Sequence, residues 1–182
     1  RQKINMSSIE GTDLNEVGTG YLRLLQFTSR SGLEFREAIS GLIDQGAERL
    51  IIDLRDNSGG LLSAAIEVAE CFLPSGQLIV SIKGRKREDI RNFKANSTKS
   101  YKDIPVIFLM NGGSASASEI VGGALSVLGR AQIVGEKSFG KGSVQTIFPL
   151  SNDSGLRLTT AMYFLPDGST IHEQGIEPDI LV

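Results

Sequence analysis

A short apolar run ending in a glycine- or serine-rich loop recurs along this chain. Arg49 to Leu54 (RLIIDL) precedes Arg55 to Gly60 (RDNSGG), and Pro105 to Met110 (PVIFLM) precedes Asn111 to Ala115. Ala131 to Gly135 precedes a glycine-punctuated loop that runs to Gly142. Runs this short suit buried strands and are too short to cross a bilayer. The first two loops open onto segments with helical spacing, Leu61 to Leu73, stopped by Pro74, and Ser116 to Leu128. Strand alternating with helix predicts an α/β fold with a partly parallel sheet. Parallel strands bring their C-terminal ends to one sheet edge, and loops at that edge build ligand sites. Topology alone therefore predicts that Gly59, Ser116 and Lys141 meet.

The remaining segments fill in around this frame. Lys3 to Ile9 is expected as a short strand, Gly11 to Gly20 as turn-rich chain, and Tyr21 to Phe27 as a strand. Ser31 followed by Glu34 fits a capping box, with Phe35, Ala38, Ile39 and Leu42 on one helix face and Gly46 at its end. Gln77 to Ile82 is expected as a strand, and residues 84–103 as a polar surface excursion with little core. Ser143 to Leu150 and Leu156 to Phe164 are predicted to form a hairpin turning at Asn152-Asp-Ser-Gly155. A length of 182 residues suits one domain spanning 1–182. With 40% apolar and 22% charged residues, the chain falls in the folded rather than the disordered class.

A formal charge of −2 gives no electrostatic reason to expect nucleic acid. The basic run Lys83 to Arg87 (KGRKR) is expected to be a solvated turn. The chain opens on Arg1 without a signal peptide, which leaves its compartment open. Cys71 is the single cysteine, so an intrachain disulfide and a thiolate cluster are excluded, and no metal or other cofactor is expected. Cys71 follows an apolar helix face (Ala65, Ile66, Ala69) and suits a buried structural thiol. His172 is the single histidine, so a Ser–His–Asp triad would have to use it. It lies in a polar segment near the C-terminus, where an exposed or structural role is expected.

A serine and a lysine remain as candidates for chemistry. Asn111-Gly-Gly-Ser-Ala-Ser-Ala-Ser-Glu119 is dense in small residues directly before a helix. The helix start leaves N–H groups unpaired and partially positive, which suits stabilisation of an oxyanion beside a serine. An ordinary N-cap explains the same serines. A lysine base faces a steeper demand, because at pH 7 only about one in 2,500 ordinary lysines is neutral. Burial has to depress its pKa by several units. Lys141 lies between Gly140 and Gly142, where the backbone can approach closely and Phe139 could exclude water. Lys137, next to Glu136, competes with it, and a plain loop lysine is the alternative for both.

Three segments together carry a resemblance. They are Asp53-Leu-Arg-Asp-Asn-Ser-Gly-Gly60, Gly113-Ser-Ala-Ser-Ala-Ser-Glu-Ile120 and Gly135-Glu-Lys-Ser-Phe-Gly-Lys-Gly-Ser-Val-Gln145. In this order and spacing, from Gly20 through Asp179, the chain resembles the C-terminal processing peptidases, or tail-specific proteases. The resemblance implies a Clp-protease/crotonase-like α/β core and serine endopeptidase activity near substrate C-termini, with protein or peptide substrates bound extended. It implies Ser116 as nucleophile, Lys141 as base and Gln145 as the residue that orients the base. It further implies an oxyanion hole built from Gly59 or Gly60 with Ala117, and loop-holding roles for Asp53 and Arg55. An even offset along an extended chain also places Lys141 and Gln145 on one face.

Family members usually carry a PDZ domain before this core. No PDZ-like stretch is seen and the chain begins about where one would end, so either the full-length protein carries the PDZ domain, as expected, or the chain belongs to a lineage that lacks it, and the isolated core could be folded yet inactive. The family's usual home is the cell envelope, the periplasm or the plastid lumen. A non-catalytic relative, the interphotoreceptor retinoid-binding protein, offers a second reading in which the same fold binds apolar ligands or peptides. Covalent labelling of Ser116 separates the two.

Overall fold

A computed structural model of the chain describes residues 7–97, 100–151 and 154–182, apart from the Arg87 side chain. A six-stranded sheet organises it. Its strands are β1 (Ile9–Leu14), β2 (Thr19–Leu24), β3 (Arg49–Asp53), β6 (Val106–Met110), β7 (Gln132–Gly135) and β10 (Ile180–Leu181), adjacent in that order. Only β1 runs antiparallel to its neighbour, and every other pairing is parallel. A second, antiparallel sheet takes the order β5 (Arg91–Lys94), β4 (Leu78–Gly84), β9 (Gly155–Phe164), β8 (Ser143–Pro149).

Three helices cover one face of the parallel sheet: α1 (Ser31–Asp44), α2 (Leu62–Ala69) and α3 (Ala117–Val127), with α2 packed between the other two. Alternation along β3 and β6 explains the layer, since Leu50, Ile52, Val106, Phe108 and Met110 point into the core and their neighbours Ile51, Ile107 and Leu109 are half-buried behind them. Phe35, Phe72 and Phe108 form an edge-to-face chain with centroids 6.0 and 6.1 Å apart, linking α1, the end of α2 and the sheet. The parallel strands end at Asp53, Met110 and Gly135, so the three loops share one edge, as the alternation predicts.

Several expectations need correction. The strand expected over Lys3 to Ile9 lies mostly outside the described residues. The observed β1 instead occupies the segment expected to be turn-rich, because a bulge between Glu10 and Thr12 keeps that segment in register with β2. Ser31 does not cap α1. Arg30 holds that position, while the Ser31 hydroxyl donates to the Gln26 carbonyl and the Glu34 carboxylate accepts from Ser8 N–H and Oγ. Helix α2 ends at Ala69, well before Pro74, as tighter bonds from Cys71 N to Val68 O and Phe72 N to Ala69 O fold Phe72 into the core.

Residues 84–103 are more than a surface excursion. They supply β5, buried Ala95, and Tyr101, which packs against the core. In the basic run, Lys83 stacks 4.1 Å from the Phe164 ring centre and Lys86 pairs with Glu88. The hairpin forms as β8 and β9, although Asn152 and Asp153 of its turn fall outside the described residues. Cys71 is buried, and burial pushes its thiol up to about 11, away from nucleophilic use at neutral pH.

Candidate active site

Two loops stitched side by side build the floor of the site. Asp53, 1% exposed at the end of β3, receives Tyr21 Oη at 2.8 Å and Arg55 Nη2 at 2.6 Å. Burial pushes the Asp53 carboxyl up, but hydrogen bonds from the Arg55 side chain and backbone outweigh it and hold the group below its ordinary value. Asp56 N donates to Asn111 Oδ1 and Asn111 Nδ2 donates to Asp56 Oδ1, both at 3.0 Å, tying the first loop to the second. Asn57 adds a buried knot: its Nδ2 donates to Leu24 O, and its carbonyl accepts from Ala115 N and Ser118 Oγ. Ser114 Oγ donates to Leu54 O at 2.8 Å. Ser114 and Ser118 are thus occupied as fasteners.

Ser116 is the partly exposed serine between them and sits at the N-cap position of α3. The cap position and the position expected for the nucleophile therefore coincide. Its backbone is held at φ 57°, ψ −111°, outside the usual range for a non-glycine residue. Such a conformation persists where its surroundings over-determine it. Here the Ser116 N–H donates at 2.8 Å to Glu119 Oε2.

Glu119 connects the whole site and was not singled out from the sequence. It is 0% exposed. Its Oε2 also accepts Lys141 N–H at 2.9 Å, and its Oε1 accepts Ser138 Oγ and Gly140 N–H, each at 2.6 Å. One carboxylate oxygen thus binds the backbone N–H of both candidate catalytic residues, so those two nitrogens lie within about 6 Å of each other. The spacing Ser116-x-x-Glu119 is the signal that could have exposed it, since it matches a capping box.

The Lys141 loop is fixed from every side. Phe139 N donates to Ser114 O, Ser138 N to Ile176 O, Glu173 N to Gly140 O and Tyr163 N to Gly142 O. A Cβ on Gly142 would collide with the His172 backbone, so only glycine fits there. His172 therefore belongs to the segment that braces this loop and not to a loose tail. The side chain of Lys141 is exposed, and among the described residues its ammonium group makes no hydrogen bond or ion pair. Phe139 does not shield it, as the ring is 68% exposed. Lys137 is engaged elsewhere, 2.6 Å from Glu177.

Gln145 is exposed on β8, and among the described residues it makes no hydrogen bond with Lys141. Its Oε1 accepts from Arg157 Nε at 2.5 Å. Lys141 precedes the first residue of β8, so strand alternation does not reach back to it. Of the candidate oxyanion donors, Gly59 N–H is taken by Asn57 Oδ1 at 2.9 Å. Gly60 and Ala117 N–H have no acceptor among the described residues. A Cβ on Gly59 would lie 2.8 Å from both Ala117 N and Ser116 Cβ, so this loop presses directly on the serine's turn. Among the described residues, no group of three or more His, Cys, Asp or Glu side chains is gathered to hold a metal ion.

Comparison with known proteins adds an independent line. The sequence profile described as Peptidase family S41 matches residues 18–182. A carboxy-terminal-processing protease of Bartonella bacilliformis is 50% identical over 171 residues, covering 92% of this chain and 39% of the relative. A carboxyl-terminal-processing protease of Synechocystis sp. is 40% identical over 185 residues, covering 100% of this chain and 43% of the relative. The chain therefore spans about two fifths of the length of these relatives. Among solved structures, the photosystem II D1 C-terminal processing protease superposes with a TM-score of 0.87 at 33% identity, over 100% of this chain and 50% of that one.

Proposed function

The chain belongs to peptidase family S41, and from this we propose that it is the catalytic core of a serine endopeptidase that cleaves near substrate C-termini through Ser116 and Lys141. The observation that carries the proposal is the shared Glu119 oxygen, which sets the two backbones side by side. A lysine side chain on such a backbone reaches the serine by rotation of its own torsions. In the reaction, neutral Lys141 Nζ takes the proton of Ser116 Oγ as that oxygen attacks the peptide carbonyl. Negative charge gathers on the former carbonyl oxygen, which accepts from Gly60 and Ala117 N–H, two donors without an acceptor among the described residues. Collapse expels the amine, which takes its proton from Lys141, and leaves an ester on Ser116. Water, deprotonated by Lys141, then cleaves the ester and restores the serine.

Lys141 and Phe139 are both exposed, so the bound peptide itself supplies the cover that excludes water from the lysine. An extended substrate segment suits this role. The relatives are longer than the chain, and the proposal extends to the whole protein: a PDZ domain that presents the substrate's C-terminus, and a site of action in the cell envelope, the periplasm or a plastid lumen. No helix among the described residues is long and apolar enough to cross a membrane.

A fluorophosphonate probe tests the assignment. The expected result is one adduct, on Ser116, absent in Ser116→Ala and strongly slowed in Lys141→Ala. A chain that carries no adduct at Ser116 and retains tight peptide binding would instead support the non-catalytic reading. His172→Ala is expected to keep the labelling reaction, with loss confined to what the bracing segment contributes.

A further inference from the structure

We infer that the free edge of β8 is the docking strand for substrate: an extended, uncharged peptide segment with apolar residues at alternate positions, bonded through its backbone to Gln145 and Ile147. The inference rests on the Ser116–Lys141 reading above and adds where the peptide lies. β8 is the outermost strand of the antiparallel sheet. The Leu150 N–H donates to the Ser154 carbonyl, which fixes the phase of the β8–β9 ladder. Going back along β8, Phe148 with Leu156 and Thr146 with Leu158 are then the hydrogen-bonded pairs. The N–H and C=O of Gln145 and Ile147 therefore point away from β9, and among the described residues they find no partner there. Pro149, which has no N–H to give, takes the next outward position, as this phase requires.

Sheet edges ordinarily carry a device against pairing with another chain. β1 has Glu10, Asp13 and a bulge, β5 opens on Arg91 and closes on Lys94, and β10 is two residues long. β8 reads Ser-Val-Gln-Thr-Ile-Phe-Pro and has no charged residue. Its edge is open to a further strand, and the occupant follows from where that edge leads. β8 starts at Ser143, two residues from Lys141, whose N–H shares a Glu119 oxygen with the Ser116 N–H. Ile147 stands six residues from Lys141, at most about 20 Å along the chain. An edge that runs up to the candidate site favours a substrate chain over a second copy of the protein. Phe148, Leu156 and Leu158 share one face of the hairpin and are exposed there. Every second side chain of a paired peptide lies on that face, where an apolar residue gains contact and a charged one loses water.

Fluorescence anisotropy of a labelled peptide of about twelve residues, leucine alternating with serine, titrated with the Ser116→Ala chain, reads docking without cleavage. Methylating alternate amide nitrogens of the peptide removes the donors of one edge at a time. One set is expected to abolish binding and the other to leave it within about twofold. Ile147→Pro removes an outward donor and spares the bonds to β9, as Pro149 already does. It is expected to raise the peptide Kd about three- to tenfold. Thermal melting is expected to be unchanged, as is fluorophosphonate labelling in a chain that keeps Ser116. Phe148→Ser is expected to narrow the preference for leucine over serine at the alternate positions.

Equal effects of the two methylation sets overturn the inference, and they are read on an unaltered β8 even if Ile147→Pro melts early. A normally melting Ile147→Pro chain that binds the peptide as the parent does overturns it as well. So does a parent that forms dimers, lost in Ile147→Pro, and excludes the peptide, since the edge then belongs to a second copy. Failure of the parent to label Ser116 while the methylation pattern holds overturns the catalytic reading alone, and leaves the β8 edge as a peptide-binding strand.

Discussion

Glu119 accepts four hydrogen bonds while buried, and each comes from a backbone N–H or a hydroxyl. Glu119→Gln places an NH2 group where only acceptors fit, leaving donors opposed and at least one N–H unpaired. The expected cost is ~2–3 kcal/mol of stability, with Ser116 labelling falling by more than that loss explains because both backbones shift. Thermal melting alongside the labelling rate separates the two effects. Gly60→Ala is expected to lose ~2 kcal/mol or more. Its φ of 147° is hostile to a side chain, and the new Cβ would collide with the Phe27 carbonyl. That the Ser116 and Lys141 loops meet was legible, because both follow parallel strands that end on one sheet edge. The state of the Lys141 side chain was not legible, since exposure depends on what lies over the loop in three dimensions.

The ends of the elements carry a pH dependence. Asp53 has its carboxyl held below the ordinary value by Arg55, against the upward push of burial. A group depressed on folding stabilises above its unfolded pKa of about 3.9 and loses that contribution as pH falls through the lower folded value. Asp53→Asn should therefore melt lower than the parent at pH 7, and the gap should close as pH drops below about 4. Melting curves between pH 7 and pH 3 check the sign. The core strands and the three helices were readable because each has a clear apolar period, as Phe35, Ile39 and Leu42 show on α1. Strand β10 escaped notice because two residues carry no periodicity. Strand β1 escaped because its outward residues are polar and a glycine bulge interrupts it. Capping of α1 was misjudged because Ser31 and Glu34 find better partners in Gln26 and Ser8, which only the folded chain brings near.

At the scale of the whole molecule, the candidate site depends on residues remote in sequence from both Ser116 and Lys141. Ile176 exchanges hydrogen bonds with Ser138, its O accepting from Ser138 N and its N donating to Ser138 Oγ, and Asp179 Oδ2 accepts Ile133 N at 2.7 Å. A chain ended after Gly175 is expected to keep its helical circular dichroism and to lose Ser116 labelling, because the Lys141 loop loses its brace. Labelling at the parent rate in that chain would refute the dependence.

The bracing of Ser138 by Ile176 also sets an order in time. A ribosome releases the serine well before the lysine, and the lysine well before Ile176 and Asp179. While residues 176–179 are still being made, the Ser138–Lys141 loop lacks its bonds to Ile176, although Glu119 and Ser114 are already there to hold it. The candidate site is therefore completed only once the chain through Asp179 has been made, well after Ser116 and Lys141 themselves.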